Sequence, residues 1–168
     1  MSTETDNNEN IGTIPQSPVF IHNQYLKDMS FENPNAPSIL QHKDGAPELD
    51  MNIMIDTTRL EHDEHEHFYE VVLTVNAVAK RGDKTMFIAE IKYAAAVSIS
   101  GLEEKQHHPI LFVEVPRMIF PYTRMILSNA TQSGSFIPLH MAMVDFRAMY
   151  LKRFGDQMAA NKEAAQKA

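Results

Sequence analysis

Hydrophobic and polar positions alternate with a period near two from residue 19 to about residue 100. From residue 109 to residue 154 the period is near 3.6. A period of two sends successive side chains to opposite faces of a strand, whereas 3.6 lines one face of a helix. The chain thus reads as a sheet-forming half followed by a helical half. The first strand covers residues 19–31, with Ile21, Tyr25, Met29 and Phe31 on one parity. His22, Gln24, Asp28, Ser30 and Glu32 take the other, and Phe20 and Leu26 interrupt the alternation. This is the pattern of a half-buried antiparallel strand with one wet face. Asn33-Pro34-Asn35-Ala36-Pro37 ends it, because proline removes a ladder donor and restricts its predecessor. A second strand is predicted over residues 49–57, where Leu49, Met51, Ile53 and Ile55 alternate with Asp50, Asn52 and Met54. A third covers 68–80, and Arg81-Gly82-Asp83 turns it into a fourth over 85–100. In that fourth strand Phe87, Ala89, Ile91, Tyr93, Ala95, Val97 and Ile99 alternate with Glu90, Lys92 and Ser98. Long strands joined by short loops imply an antiparallel sheet.

The helical half breaks at Pro116. Residues 118–133 carry Ile119, Tyr122, Ile126 and Ala130 on one stripe, widened by Met118, Phe120, Met125 and Leu127. Gly134 suits the helix stop, and Asp145 suits the cap of a last helix over 146–154. The stripe is wider than one sheet face requires, so a second subunit is expected against it. Residues 1–18 read as a disordered tail and 156–168 as a flexible one. That leaves one α+β domain over 19–155.

Composition narrows the function. A net charge of -7 repels phosphate backbones, which makes nucleic acid a poor partner. With no cysteine, disulfides, thiolate catalysis and Cys-based zinc sites are excluded. No apolar run has the length of a membrane span, and the N-terminus lacks the basic and apolar regions of a secretory signal. The expectation is a cytoplasmic protein without direct membrane insertion. Eleven methionines supply adaptable apolar surface. Six glycines form no phosphate-cradling loop, and no nucleophile elbow occurs.

Histidines and carboxylates crowd Glu61-His62-Asp63-Glu64-His65-Glu66-His67. These are ligand types for zinc or nickel, but a charged loop offers little second-shell support. A solvated loop is the expected state, with no metal and no other cofactor. Arg81-Gly82-Asp83 is read as a turn rather than an adhesion motif. On the wet sheet face, Asp28 pairs in parity with Glu32, and Ile88 with Glu90. Parity alone favours an ordinary solvated face, although acids flanking an apolar residue could dock a basic partner.

One block is more specific. Tyr25-Leu-Lys-Asp-Met-Ser-Phe-Glu-Asn-Pro-Asn-Ala-Pro37 resembles the first-strand motif of the SecB family of protein-export chaperones. Phe68-Tyr-Glu-Val-Val-Leu-Thr-Val75 resembles that family's third strand. Phe120-Pro-Tyr-Thr-Arg124, followed by Gly134-Ser-Phe136 and Pro138-Leu139, resembles its helix and loop. The resemblance spans residues 19–154 in the right order. It implies a four-stranded antiparallel sheet with helices on one face, assembled as a dimer of dimers, with no enzymatic activity.

The implied role is an ATP-independent holdase. Such a protein binds unfolded precursor proteins, keeps them competent for translocation, and hands them to the translocase motor SecA. By motif, Asp28, Glu32, Ile88 and Glu90 match the SecA-docking face, where SecA's basic zinc-binding tail would meet the acids. A client groove is expected at Met51, Ile53, Phe136, Leu139 and Met143. The sequence departs from the family in three places. The loop over 61–67 is longer, Ala94-Ala-Ala96 replaces frequent glycines, and helix cysteines are absent. Two other readings stay open: a SecB-like chaperone dedicated to a toxin–antitoxin system, and a metal-dependent enzyme using His62, His65 and His67.

Overall fold

The computed structural model describes residues 17–41 and 45–167, with side chains to residue 159. Nearly all of the predicted N-terminal tail therefore lies outside the described residues. Strand β1 (Val19–Glu32) is followed by a single helical turn α1 (Ser38–Gln41). Then come β2 (Glu48–Leu60), β3 (Phe68–Arg81) and β4 (Lys84–Ile99). All pairings are antiparallel, in the order β1-β4-β3-β2, so β2–β3–β4 is a meander and β1 returns to pair with β4. Gly82 turns the β3–β4 hairpin at φ +57°, a conformation that costs glycine little.

The two faces of the sheet differ. On one, Val71, Leu73, Val75 and Ala77 of β3 lie beside Ala89, Ile91, Ala95 and Val97 of β4, all essentially without solvent exposure. Helix α3 (Val115–Ser133) covers this face with Ile119, Phe120, Thr123 and Leu127, all fully buried. On the other face, Ile88, Glu90 and Lys92 of β4 point away from the helices.

Parity fails on β1 for an identifiable reason. The β1–β4 register slips between Ile21 and Asn23 and again between Leu26 and Asp28. Each bulge inserts an unpaired residue and shifts every later side chain by one face. Leu26 therefore lies opposite Tyr93 on the helix side, while Tyr25 lies opposite Ala94 on the open side. The predicted grouping of Tyr25 with Ile21 and Met29 is corrected, and the interruption at Leu26 is explained. Past the second bulge, Asp28, Ser30 and Glu32 share the open face.

The helical half starts earlier than the period predicts. A 3-10 turn (Glu104–Gln106), a single turn α2 (His107–Pro109) and a π-helical turn (Ile110–Glu114) lead directly into α3. Pro116 does not interrupt the run: the π-helical turn passes straight into α3 before it, with the Val115 N–H donating to the Ile110 carbonyl.

Helix α3 has two apolar stripes. Ile119, Thr123, Leu127 and Ala130 are buried against the sheet, whereas Met118, Tyr122 and Met125 are exposed on the outer side. Tyr122 stacks on Tyr93 at 5.7 Å, so the outer stripe borders the exposed Leu26 and Met29 of β1.

At the helix end, the residue with positive φ is Ser135 (φ 65°), not Gly134 (φ -76°). Gly134 is needed for a different reason. A Cβ there would lie 2.6 Å from the Phe31 ring.

Helix α4 (Phe146–Lys167) is capped as predicted, with Ala148 N–H donating to Asp145 Oδ1 at 2.9 Å. It continues well past residue 154, and its backbone is helical where a flexible tail is expected from 156. Alanine, glutamate, lysine and glutamine favour a helix without needing an apolar stripe.

Candidate docking face and client groove

The two β1 bulges assemble the open face. Asp28 lies opposite Lys92, Ser30 opposite Glu90, and Glu32 opposite Ile88. All four proposed docking residues thus lie on adjacent strands of one surface, and Ile88, opposite Glu32 at one end of it, is 37% exposed. Lys92 stands among the acids, with Nζ 3.1 Å from Glu90 Oε1 and 3.6 Å from Asp28 Oδ2. Glu90 first, and Asp28 after it, hold the Lys92 ammonium above its usual range. The patch is therefore less negative than its carboxylates alone suggest. Lys92 shares parity with Ile88 and Glu90, so its presence was legible in the sequence.

A second group adjoins this one. The bulge at Lys27 brings Tyr25 and Lys27 to Glu70 of β3: the Tyr25 hydroxyl donates to Glu70 Oε1, and Lys27 Nζ donates to Oε2 at 2.6 Å. The Glu70 carboxyl is held below its ordinary range, first by Lys27 and then by Tyr25. The Tyr25 phenol is pushed up to about 12, chiefly by that hydrogen bond to the carboxylate. Sequence parity misses this group, because no residue type announces a bulge.

The five client-groove candidates do not line one hollow. Ile53 borders a groove of about 490 Å³ between β2 and α4, with Ile55, Phe112, Met149, Tyr150 and Phe154. Met51 and Leu139 are half-buried against the core. Phe136 packs at 5.3 Å on Phe87, and Met143 is exposed, with its sulfur 3.5 Å from Arg124 Nη1. Sequence reasoning missed the aromatic wall of the groove. Phe112, Tyr150 and Phe154 meet there because the helical run begins near residue 104 rather than 118, and Arg153 covers the Phe112 and Phe154 rings.

The histidine loop is not simply solvated. His65 and His67 are half-buried, and His62 and His65 pack on Phe68. No three histidine or carboxylate side chains among the described residues are grouped to hold a metal ion. No helix among them is long and apolar enough to cross a membrane.

A sheet with one face filled by helices, the other left open, and an aromatic groove at its edge defines a protein that offers surfaces to other polypeptides. Comparison with known proteins gives the family. Residues 13–157 match the family model of SecB, the preprotein translocase subunit. The Rhodospirillum rubrum protein-export protein SecB is 40% identical over 153 residues, covering 91% of each chain. The Rickettsia massiliae protein-export protein SecB is 39% identical over 157 residues, covering 93% of this chain and 98% of its own. The chain belongs to the SecB family, and its role is that of a protein-export chaperone.

Among solved structures, the Mycobacterium tuberculosis SecB-like chaperone, in complex with a peptide from the HigA1 antitoxin, superposes with a TM-score of 0.61. That match has 13% identity and covers 75% of this chain and 90% of that one, a likeness of fold.

Proposed function

We propose that the protein is an ATP-independent cytoplasmic holdase, not an enzyme, that binds non-native precursor chains and delivers them to SecA. The observation that carries this reading is the division of surfaces. The helix-covered face is spent on the core, while exposed Asp28, Glu32 and Ile88 and half-buried Glu90 lie together on the other face. Exposed carboxylates around an apolar contact suit a basic, partly apolar partner segment. Clients would take the groove along β2 and α4, reached from Met51 and Ile53. The segment carrying Phe136, Leu139 and Met143 would extend that surface. Aromatic and methionine side chains there adapt to varied sequences.

The functional unit would be a dimer of dimers. The outer stripe of α3, with Leu26 and Met29 beside it, is apolar surface that a second subunit would cover. A likeness limited to fold gives no support for a dedicated antitoxin client. The test is a refolding assay: purified protein at stoichiometric amounts should delay refolding of a slow-folding precursor without ATP. Refolding at the unassisted rate would reject the holdase reading.

A further inference from the structure

At one end of the open sheet face, three imidazoles cover a phenylalanine. His22 comes from the first bulge of β1, and His62 and His65 come from the β2–β3 loop. Their ring centres lie 4.6 Å (His22–His65), 4.7 Å (His62–His65) and 6.3 Å (His22–His62) apart. They lie 5.1 Å (His22), 4.7 Å (His62) and 6.0 Å (His65) from the ring of Phe68. Phe68 belongs to the open face, opposite Ser98, yet is 9% exposed. Phe20 adds an edge contact to His22 at 4.7 Å.

The hydrogen bond made by His62 is that of a neutral ring. His62 Nδ1 accepts from the Glu64 N–H at 3.1 Å, which leaves its single proton on Nε2. His22 Nε2 lies 2.8 Å from Ser98 Oγ. Burial first, then the neighbouring His65 and His62, hold His22 below the ordinary imidazole range.

We propose that His22, His62 and His65 form an acid-opened latch that ties the β2–β3 loop to the edge strand β1 and covers Phe68. Neutral imidazoles pack on an aromatic ring as apolar groups do. A single imidazolium would still be tolerated over Phe68. Two or three, with ring centres 4.6–6.3 Å apart, repel one another and demand hydration. Protonating His62 also removes the acceptor that holds the turn at Glu64.

The other charges facing the cluster sit on its solvent side. Arg59 of β2 donates to the Glu66 carbonyl at 3.1 Å and pairs with Glu104 at 2.8 Å. Two hollows flank His65: Glu61 and Glu66 line one, and Glu64, Glu66, His67 and Glu103 line the other. These carboxylates draw a charged loop outward, while β1 and β4 bring Phe20 and Ser98 to the inner side.

The sign follows from His22. Its proton affinity is lower in the folded state than in the unfolded one. Its contribution is therefore complete above the unfolded value of about 6.5 and is lost as pH falls from there through the folded value. Opening exposes Phe68 at the end of the face that carries the proposed dock, and so adds apolar surface in acid.

Hydrogen exchange of the intact protein, corrected for intrinsic rates, tests this at pH 7.5 and 5.5. Residues 19–24 and 61–70 should lose protection in acid. The opening constant should rise about tenfold per pH unit for each proton taken up. The variant H22N/H62N/H65N should show no such pH dependence. If that variant does not fold, H62N/H65N, altered only in the loop, should flatten the dependence in part. Equal protection of the wild type at both pH values would overturn the latch. So would acid opening undiminished in the loop variant. Protection at pH 7.5 that vanishes with EDTA would also overturn it, by making a bound metal the fastener.

Discussion

Gly134 occupies the junction between α3 and the far end of β1, where space rather than backbone angle excludes a side chain. Its φ of -76° is open to any residue, so alanine would bring no backbone strain. Alanine would even restrict the unfolded chain, an effect that favours folding by about 0.4–1 kcal/mol. Against this, the added Cβ would lie 2.6 and 2.7 Å from two atoms of the Phe31 ring and 3.2 Å from Phe136 Cδ2. Phe31 has little room to give, because it stacks on Phe87 at 5.7 Å, and Phe87 in turn meets Phe136. Overpacking of this kind costs about 1–3 kcal/mol. The net expectation for Gly134→Ala is a loss of about 1–2 kcal/mol, or several degrees in melting temperature for a chain of this length. Urea unfolding at fixed protein concentration measures it, since assembly would otherwise shift the midpoint. Phe31→Leu should remove most of the penalty, so the double mutant should be more stable than the two losses added together. A Gly134→Ala protein as stable as wild type, or strictly additive losses, would refute the steric account.

Other expectations follow from single contacts. The buried Thr131 hydroxyl donates toward the Leu127 carbonyl at 3.0 Å and the Ser128 carbonyl at 2.9 Å, and accepts from the Leu139 N–H at 2.9 Å. Thr131→Val should therefore cost about 1–3 kcal/mol in urea unfolding. Glu70 has a lowered folded pKa, so its contribution is present above the unfolded value and lost as pH falls through the folded one. Glu70→Gln should destabilise by about 1 kcal/mol at pH 7, and the difference from wild type should shrink in acid titrations. The wild type should sediment at about four times the 19.1 kDa chain if the proposed dimer of dimers forms, and Met125→Glu, on the outer stripe of α3, should lower that mass while circular dichroism stays unchanged.

The strands were legible because the odd positions of β4 from Phe87 on are apolar and meet the helices, while Ile88, Glu90 and Lys92 alternate with them. The faces of β1 were legible at its two ends but not over residues 23–26, because one bulge reverses the parity, a second restores it, and neither leaves a mark in residue type. The docking residues came together only because Asp28 and Glu32 lie beyond the second bulge, whereas Tyr25 before it changed sides. The helical run from residue 104 was hidden by Pro116, which reads as a break but lies within a continuous helical run. With that run went the aromatic wall of the groove at Phe112. The histidine loop reads as charged in one dimension. In three, His62 and His65 fold back onto Phe68 and His22, a contact between residues far apart in sequence.

The central claim is that an exposed face, separate from the client groove, recruits SecA. The direct measurement is a binding titration of SecA with wild type and with Asp28→Lys/Glu90→Lys. The double reversal removes both partners of Lys92 and turns the patch from acidic to basic. Fold and assembly should change little, since exposed ion pairs contribute about 0–1 kcal/mol and a like charge opposite Lys92 costs about as much. Wild-type affinity should fall as salt rises, because exposed charges are screened over about 8 Å at physiological ionic strength. The account predicts that the double reversal loses SecA binding while its sedimenting mass and its delay of precursor refolding remain those of wild type. Unchanged SecA affinity in that variant, or intact SecA binding with lost client holding, would contradict it.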